Sequence, residues 1–347
     1  SFWRWSKFDT CPRAMSVPRV EAVPAVVLPE VELGEGSIWD ERSSRLLWVD
    51  IMRSRLFRFD PSSGVNEEHD LSERSKAVSS VVPLSVEDDP TGERVGLTVR
   101  EGFAIYDFGS RAFELLPGNP PVAESERFND GKVDPAGRYW AGTIARDESG
   151  TPVPKAKLYR RNSDGSVDTI VDPVTISNGI TWTMDGKMYY IDTLERSVDA
   201  FDYDVATGEV NNRRQCIAGF DFATTGLPDG CCLDSEGRLW VAFFNGGCAR
   251  QYDPSTGELL AEARLPAEAG FQVTSVAFGG SGLGELYLTT AHECMTAEAA
   301  ADAGFPLAGS LFCVPRAELE KIGAAPGEPV HAFKLEVKSS ASGPDVC

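Results

Sequence analysis

Residues 233–258 read LDSEGRLWVAFFNGGCARQYDPSTGE, and residues 182–209 read WTMDGKMYYIDTLERSVDAFDYDVATGE. In both, a short Gly-containing turn precedes an aromatic-rich strand, a second alternating strand follows, and another Gly turn closes the unit. The same unit returns as WDERSSRLLWVDIMRSRLFRFDPSSG at 39–64 and VDPAGRYWAGTI at 133–144. Weaker copies are DDPTGERVGLTVREGFAIYDF at 88–108 and FGGSGLGELYLTTA at 278–291.

Taking Trp48, Leu97, Trp140, Tyr190, Trp240 and Tyr287 as the centres of the aromatic strands, successive intervals are 49, 43, 50, 50 and 47 residues. Six units of this length, each with enough short strands for a four-stranded sheet, predict an all-β fold: a single six-bladed β-propeller with antiparallel blades. A pair of β-sandwiches would not predict so regular an interval. The chain does not begin with Met, and the sequence after Met15 reads as the start of folded chain. Residues 1–14 are therefore expected to form an extension outside the fold, 15–335 the propeller, and 336–347 a C-terminal tail. Helical patterning is confined to 297–304, after Thr296, and to 315–322. Trp39, Trp48, Trp140, Trp182 and Trp240 recur at blade positions and are expected to pack between blades, since aromatic side chains bury large areas.

At 347 residues the chain exceeds the size at which one ordinary core stops growing, which favours a repetitive architecture. A net charge of −20 and a pI near 4.6 argue against nucleic acid as a partner, because phosphate binding needs a basic face. Eight cysteines include no CxxC pair and no zinc-like Cys/His spacing. The N-terminal residues lack the apolar stretch of a signal peptide, and no run of about 18 apolar residues could span a membrane. A thiol-rich cytoplasmic protein, monomeric or weakly dimeric, with no membrane partner, is the expectation.

Just before each strong aromatic strand stands a polar residue followed closely by Gly: Glu35 in GEGSIWD, Asn129 in RFNDGKVDP, Asn178 in ISNGITWT and Asp229 in LPDGCCLD. Asn129 to Asn178 is 49 residues and Asn178 to Asp229 is 51, one blade each, while Glu35 to Asn129 is 94, two blades. Equivalent positions on inner strands converge on the axis of a propeller. Two carboxylates and two carboxamides would then share one cavity, a donor set suited to a hard divalent cation such as calcium, magnesium or manganese. Asn-Gly and Asp-Gly are also ordinary turn dipeptides, and a single one would carry no such inference. Their recurrence at one-blade spacing is what carries it.

The segments RFNDGKVDPAGRYWAGT, ISNGITW, SVDAFDYD, PDGCCLD and WVAFFNGG resemble the regucalcin and gluconolactonase family, also called the senescence marker protein family, over roughly residues 25–315. The resemblance implies a six-bladed propeller whose metal ligands are Glu35, Asn178 and Asp229, with Arg127 and Asn129 contacting a sugar lactone. It also implies one bound divalent ion, of which calcium, zinc, manganese and magnesium are all candidates. A further acidic substrate contact follows the AGT segment, and both Asp147 and Glu148 answer to it.

Lactone hydrolysis needs a polarised carbonyl, an activated water and stabilisation of the developing oxyanion. A metal serves the first and third; Asp229 is the candidate catalytic base for the water. Arg127 would donate charge-assisted hydrogen bonds and Asn129 would orient the substrate. A Ser nucleophile lacks its GxSxG elbow, and the three histidines, His69, His292 and His331, lie outside the strong motifs. Two other readings share the fold: a metal-dependent phosphotriesterase or aryl esterase, and a calcium-binding propeller without turnover.

Overall fold

In a computed structural model that describes residues 17–293 and 295–335, six four-stranded antiparallel sheets are arranged as the blades of a propeller. The expected extension at 1–14 and tail at 336–347 lie outside the described residues. All six centres read from the sequence fall on the second strand of their blade: Arg45–Asp50, Arg94–Val99, Tyr139–Ala145, Lys187–Asp192, Leu239–Phe244 and Glu285–Thr290.

The recurring turns explain the recurring sequence. In blade three Asp134 accepts hydrogen bonds from the backbone N–H groups of Ala136 (2.9 Å) and Arg138 (3.0 Å), and Gly137 takes the left-handed conformation that closes the turn. Asp234 holds Glu236 and Arg238 in the same way in blade five, both at 3.0 Å. The later turns repeat the device with Asp60 on Ser62 and Asp253 on Ser255, each at 2.8 Å. An aspartate that satisfies its own turn makes each hairpin locally determined.

Several of the contacts between blades are aromatic, as the tryptophan spacing predicts. Trp140 of blade three meets Trp182 of blade four at 5.5 Å between ring centroids, Trp240 meets Phe278 across blades five and six, and Trp39 stacks with Tyr287 across blades one and six. Trp48, also fully buried, stacks instead on Phe57 of its own blade.

Two features lie outside the repeat. The fourth strand of blade six is Val23–Val26, from the N-terminal end of the propeller, paired with Leu311–Val314; the ring is thus closed by strands distant in sequence. Arg19–Glu21 adds a parallel edge strand to blade five. The short helices Ala297–Asp302, capped by Thr296, and Arg316–Lys321 match the predicted helical stretches.

At its other end the chain runs beneath the ring from blades five and six to blades two and three. Ser235 donates to the Pro326 carbonyl and Gly327 to that of Leu283, and farther on Phe333 donates to Pro83 and Lys334 to Gly137. This strap crosses the C-terminal ends of the inner strands. With Lys132, Trp182 and Cys232 above it, it lines a small, partly open cavity of about 60 Å³.

Candidate functional site

The inner strands are Gly34–Asp40, Val78–Pro83, Glu126–Val133, Ser177–Thr183, Leu227–Leu233 and Val273–Gly279. Each carries one register irregularity toward its N-terminal end, between Glu35 and Ile38, Val78 and Ser80, Phe128 and Gly131, Ser177 and Ile180, Pro228 and Cys231, and Val273 and Val276. A bulge leaves residues outside the hydrogen-bond ladder and re-aims them. Asn129, Asn178 and Asp229 are the first unpaired residues of their bulges. Glu35 stands one place earlier, still in register with Val49, and is followed by Gly36 at φ +59°. The four polar residues therefore share a level of the channel, with Glu35 offset by one residue.

Glycine permits the close packing of these bulges. A Cβ on Gly179 would lie 2.7 Å from the Asp229 carbonyl oxygen, and one on Gly230 would lie 2.9 Å from the Ser275 Cα. Ser37 of blade one hydrogen-bonds the Ser275 hydroxyl at 2.8 Å, closing the ring of inner strands.

A chain of hydrogen bonds orders the carboxamides. Arg127 donates from Nη1 to Asn129 Oδ1 (2.7 Å), Asn129 Nδ2 donates to Asn178 Oδ1 (2.8 Å), and Asn178 Nδ2 donates to Thr193 Oγ1 (2.7 Å). Thr193 in turn donates to the Pro228 carbonyl (2.9 Å). The hydroxyl of Thr193 fixes which end of the Asn178 amide is oxygen, leaving that oxygen's second lone pair available.

Three carboxyl groups, Glu35, Asp130 and Asp229, are buried together at 5 to 9% exposure. Burial, and then the charge of Asp130, push Glu35 up to about 8. Asp229 is raised well above the usual carboxylate range by burial, by Glu35 and by Asp130. Its Oδ1 is buried without a hydrogen-bond partner among the described residues. Asp130 is also raised by burial, with Lys132 opposing. Lys132 reaches across the channel below, donating from Nζ to the Cys231 carbonyl at 2.7 Å. Arg127 is drawn down to about 10 by burial, against the opposing charges of Glu293, Glu35 and Asp229.

Such an arrangement of like charges with an orphaned oxygen fits a bound divalent cation, which would relieve the repulsion and occupy the unused lone pairs. Among the described residues no group of three or more His, Cys, Asp or Glu side chains is arranged to hold a metal. A cation at Glu35 and Asp229 would draw on the Asn178 amide and on water for its remaining ligands.

Asp147 does not join this cluster. It is exposed, and its Oδ1 accepts from the Ser149 hydroxyl (2.6 Å) and the backbone of Ser149 and Thr151. Glu148 is exposed on the same turn. The residue of this segment that reaches the mouth is Arg146: its Nη2 lies 3.5 Å from Glu293 Oε1 of blade six. His292, beside Glu293, is buried, with Nδ1 against the Met295 carbonyl at 2.9 Å. Its Nε2 has no hydrogen-bond partner among the described residues.

Sequence spacing missed Thr193, Arg146 and Glu293, which lie in the connections between second and third strands of blades four, three and six. It also missed Asp130, whose own Gly131 was credited to Asn129.

Comparison with known proteins follows the same pattern. The model of the SMP-30/gluconolactonase/LRE-like region matches residues 33–292. Regucalcin of Danio rerio is 40% identical over 295 residues, covering 84% of this chain and 93% of its own length. A luciferin-regenerating enzyme superposes with a TM-score of 0.74 at 29% identity, over 90% of this chain and all of its own. A gluconolactonase of Xanthomonas campestris shares the fold, with a TM-score of 0.62 at 20% identity over 85% of this chain and 89% of that one.

Proposed function

The chain belongs to the SMP-30/gluconolactonase/LRE-like family, and on that premise we propose that it is a metal-dependent hydrolase that opens sugar lactones. The observation that carries the proposal is Asp229, a buried carboxylate with one unpartnered oxygen, placed among Glu35, Asp130 and Arg127 on the channel axis. Glu35, Asn178 and Asp229 are the residues that would hold a divalent ion, with calcium, magnesium, manganese and zinc as candidates. When bound, such an ion supplies Lewis acidity toward the lactone carbonyl.

The protein's own groups account for the rest. Asp229 accepts the proton of the attacking water, a role suited to a buried carboxyl group one of whose oxygens has no hydrogen-bond partner among the described residues. Arg127, held by Asn129, donates toward the oxygen on which negative charge develops. Asn129 orients a ring hydroxyl. A scaffold without turnover has no use for a guanidinium tied to a carboxamide beside these carboxylates, which favours the hydrolase over the binding-only reading.

The test is hydrolysis of glucono-1,5-lactone by metal-stripped protein, with each of the four ions added back singly and Asp229→Ala as control. Turnover that returns with a metal and is lost in the variant supports the proposal. Protein that binds an ion without any turnover overturns it in favour of a binding propeller.

A further inference from the structure

Blades three and six face each other across a six-membered ring, and at the mouth of the channel a side chain from each meets the other. Arg146 leaves the second strand of blade three, and Glu293 leaves the second strand of blade six. Their charged ends approach to 3.5 Å. Arg146 does not arrive there by chance of rotamer. Its backbone N–H donates to the Ser125 carbonyl and its Nη1 to the Gly150 carbonyl at 2.9 Å. Gly150 itself is set by the turn that Asp147 caps through Ser149 and Thr151. The turn thus holds a guanidinium over the channel.

Arg127 and Arg146 both lie near the carboxylate of Glu293, in a chain whose net charge is −20. Arg127 has Asn129 as partner and the carboxylates of the floor beneath it. Arg146 has Glu293 as its ion-pair partner among the described residues. Its ion pair with Glu293 is long and both side chains are partly exposed, at 37% and 26%. An ion pair of this kind is weak and is readily exchanged for a better carboxylate, one that the planar fork of arginine can bind through two hydrogen bonds.

Resting on the lactonase reading, we propose that Arg146 is a specificity residue for lactones that carry a second, ionised carboxylate, the lactones of sugar diacids, and that Glu293 occupies the carboxylate position until substrate arrives. The reacting ester sits over Asp229 and Arg127, while the distal carboxylate of the substrate replaces Glu293 at Arg146. Neutral aldonolactones lack the group that would make this exchange.

Two measurements separate this inference from the reading it rests on. The first compares kcat/KM of the metal-loaded protein for D-glucaro-1,4-lactone and D-glucono-1,4-lactone, which differ only in the C6 carboxylate. The ratio is expected to favour the diacid lactone and to fall about 10- to 100-fold in Arg146→Gln, the range of a charge-assisted hydrogen bond. Glu293→Gln, which removes the internal competitor, is expected to raise the ratio. The second measures binding of D-glucarate against D-gluconate by calorimetry, where no turnover is needed. A wild-type preference for glucarate that disappears in Arg146→Gln supports the assignment even if neither lactone is hydrolysed, in which case the lactonase reading alone fails. Hydrolysis of both lactones with no preference, or a preference that Arg146→Gln leaves intact, overturns the assignment and leaves the lactonase reading standing.

Discussion

Replacing Glu35 by Gln should stabilise the metal-free protein at alkaline pH, although it deletes a residue of the site. Glu35 is 5% exposed, and burial together with Asp130 moves its carboxyl from an ordinary value of 4.5 to about 8. A group whose folded value is raised favours folding fully only below its unfolded value, and that contribution is lost as pH climbs toward the folded value. At about 1.4 kcal/mol per pKa unit, the loss accumulated by pH 8.5 is roughly 4 to 5 kcal/mol. It is below about 1 kcal/mol at pH 4.5. Glutamine keeps the shape and cannot ionise, so most of this loss should vanish. With an unfolding entropy of about 2 cal/mol/K per residue, a recovery of about 3 kcal/mol raises the melting temperature by about 4 °C. Calorimetric melts after dialysis against chelator, at pH 4.5 and 8.5, read the effect directly. Near-coincident melts at pH 4.5 and a more stable variant at pH 8.5 are expected. Added calcium should raise the wild-type melt more than that of the variant. A variant that melts at or below the wild-type temperature at pH 8.5 without metal would refute the picture of carboxylates held against one another.

Two further substitutions probe how the frame holds the site. A Cβ at Gly142 would fall 1.8 Å from Ser177 Oγ in the next blade, so Gly142→Ala should cost about 1 to 3 kcal/mol in urea unfolding. Because Ser177 precedes Asn178, calcium affinity measured by calorimetry should weaken as well; unchanged values of both would show that the blades move apart freely. Phe333, 1% exposed on the strap and close to Tyr139 at 5.4 Å between ring centroids, should cost about 3 to 5 kcal/mol when truncated to Ala. A loss under about 1 kcal/mol would mean that Phe333 does not anchor the strap against blade three.

The blade repeat was legible because it is written in local chemistry. An aspartate capping its own turn, a left-handed glycine and an alternating aromatic strand are each decided within about a dozen residues, and six copies at near-constant interval leave one architecture. Glu35, Asn129, Asn178 and Asp229 could be found for the same reason: they precede or lie within bulges 11 to 13 residues before the centre of the strand that follows. Their one-residue offset could not be seen, because it depends on whether a residue is paired across the ladder, as Glu35 is with Val49.

What the tertiary structure alone decided is which side chains turn toward one another where the strands end. Thr193 beneath Asn178, Lys132 across to Cys231 and Arg146 opposite Glu293 stand at blade-repeat positions whose residue types differ from blade to blade, and the N-terminal strand that completes blade six comes from outside the repeat. Loops between strands vary in length and direction from blade to blade, so nothing in their local sequence states which part of the ring they reach. The sequence by itself determined the scaffold and the level of the channel at which oxygen donors gather. Ring closure, which brings side chains of different blades together, decided how those donors are oriented and charged.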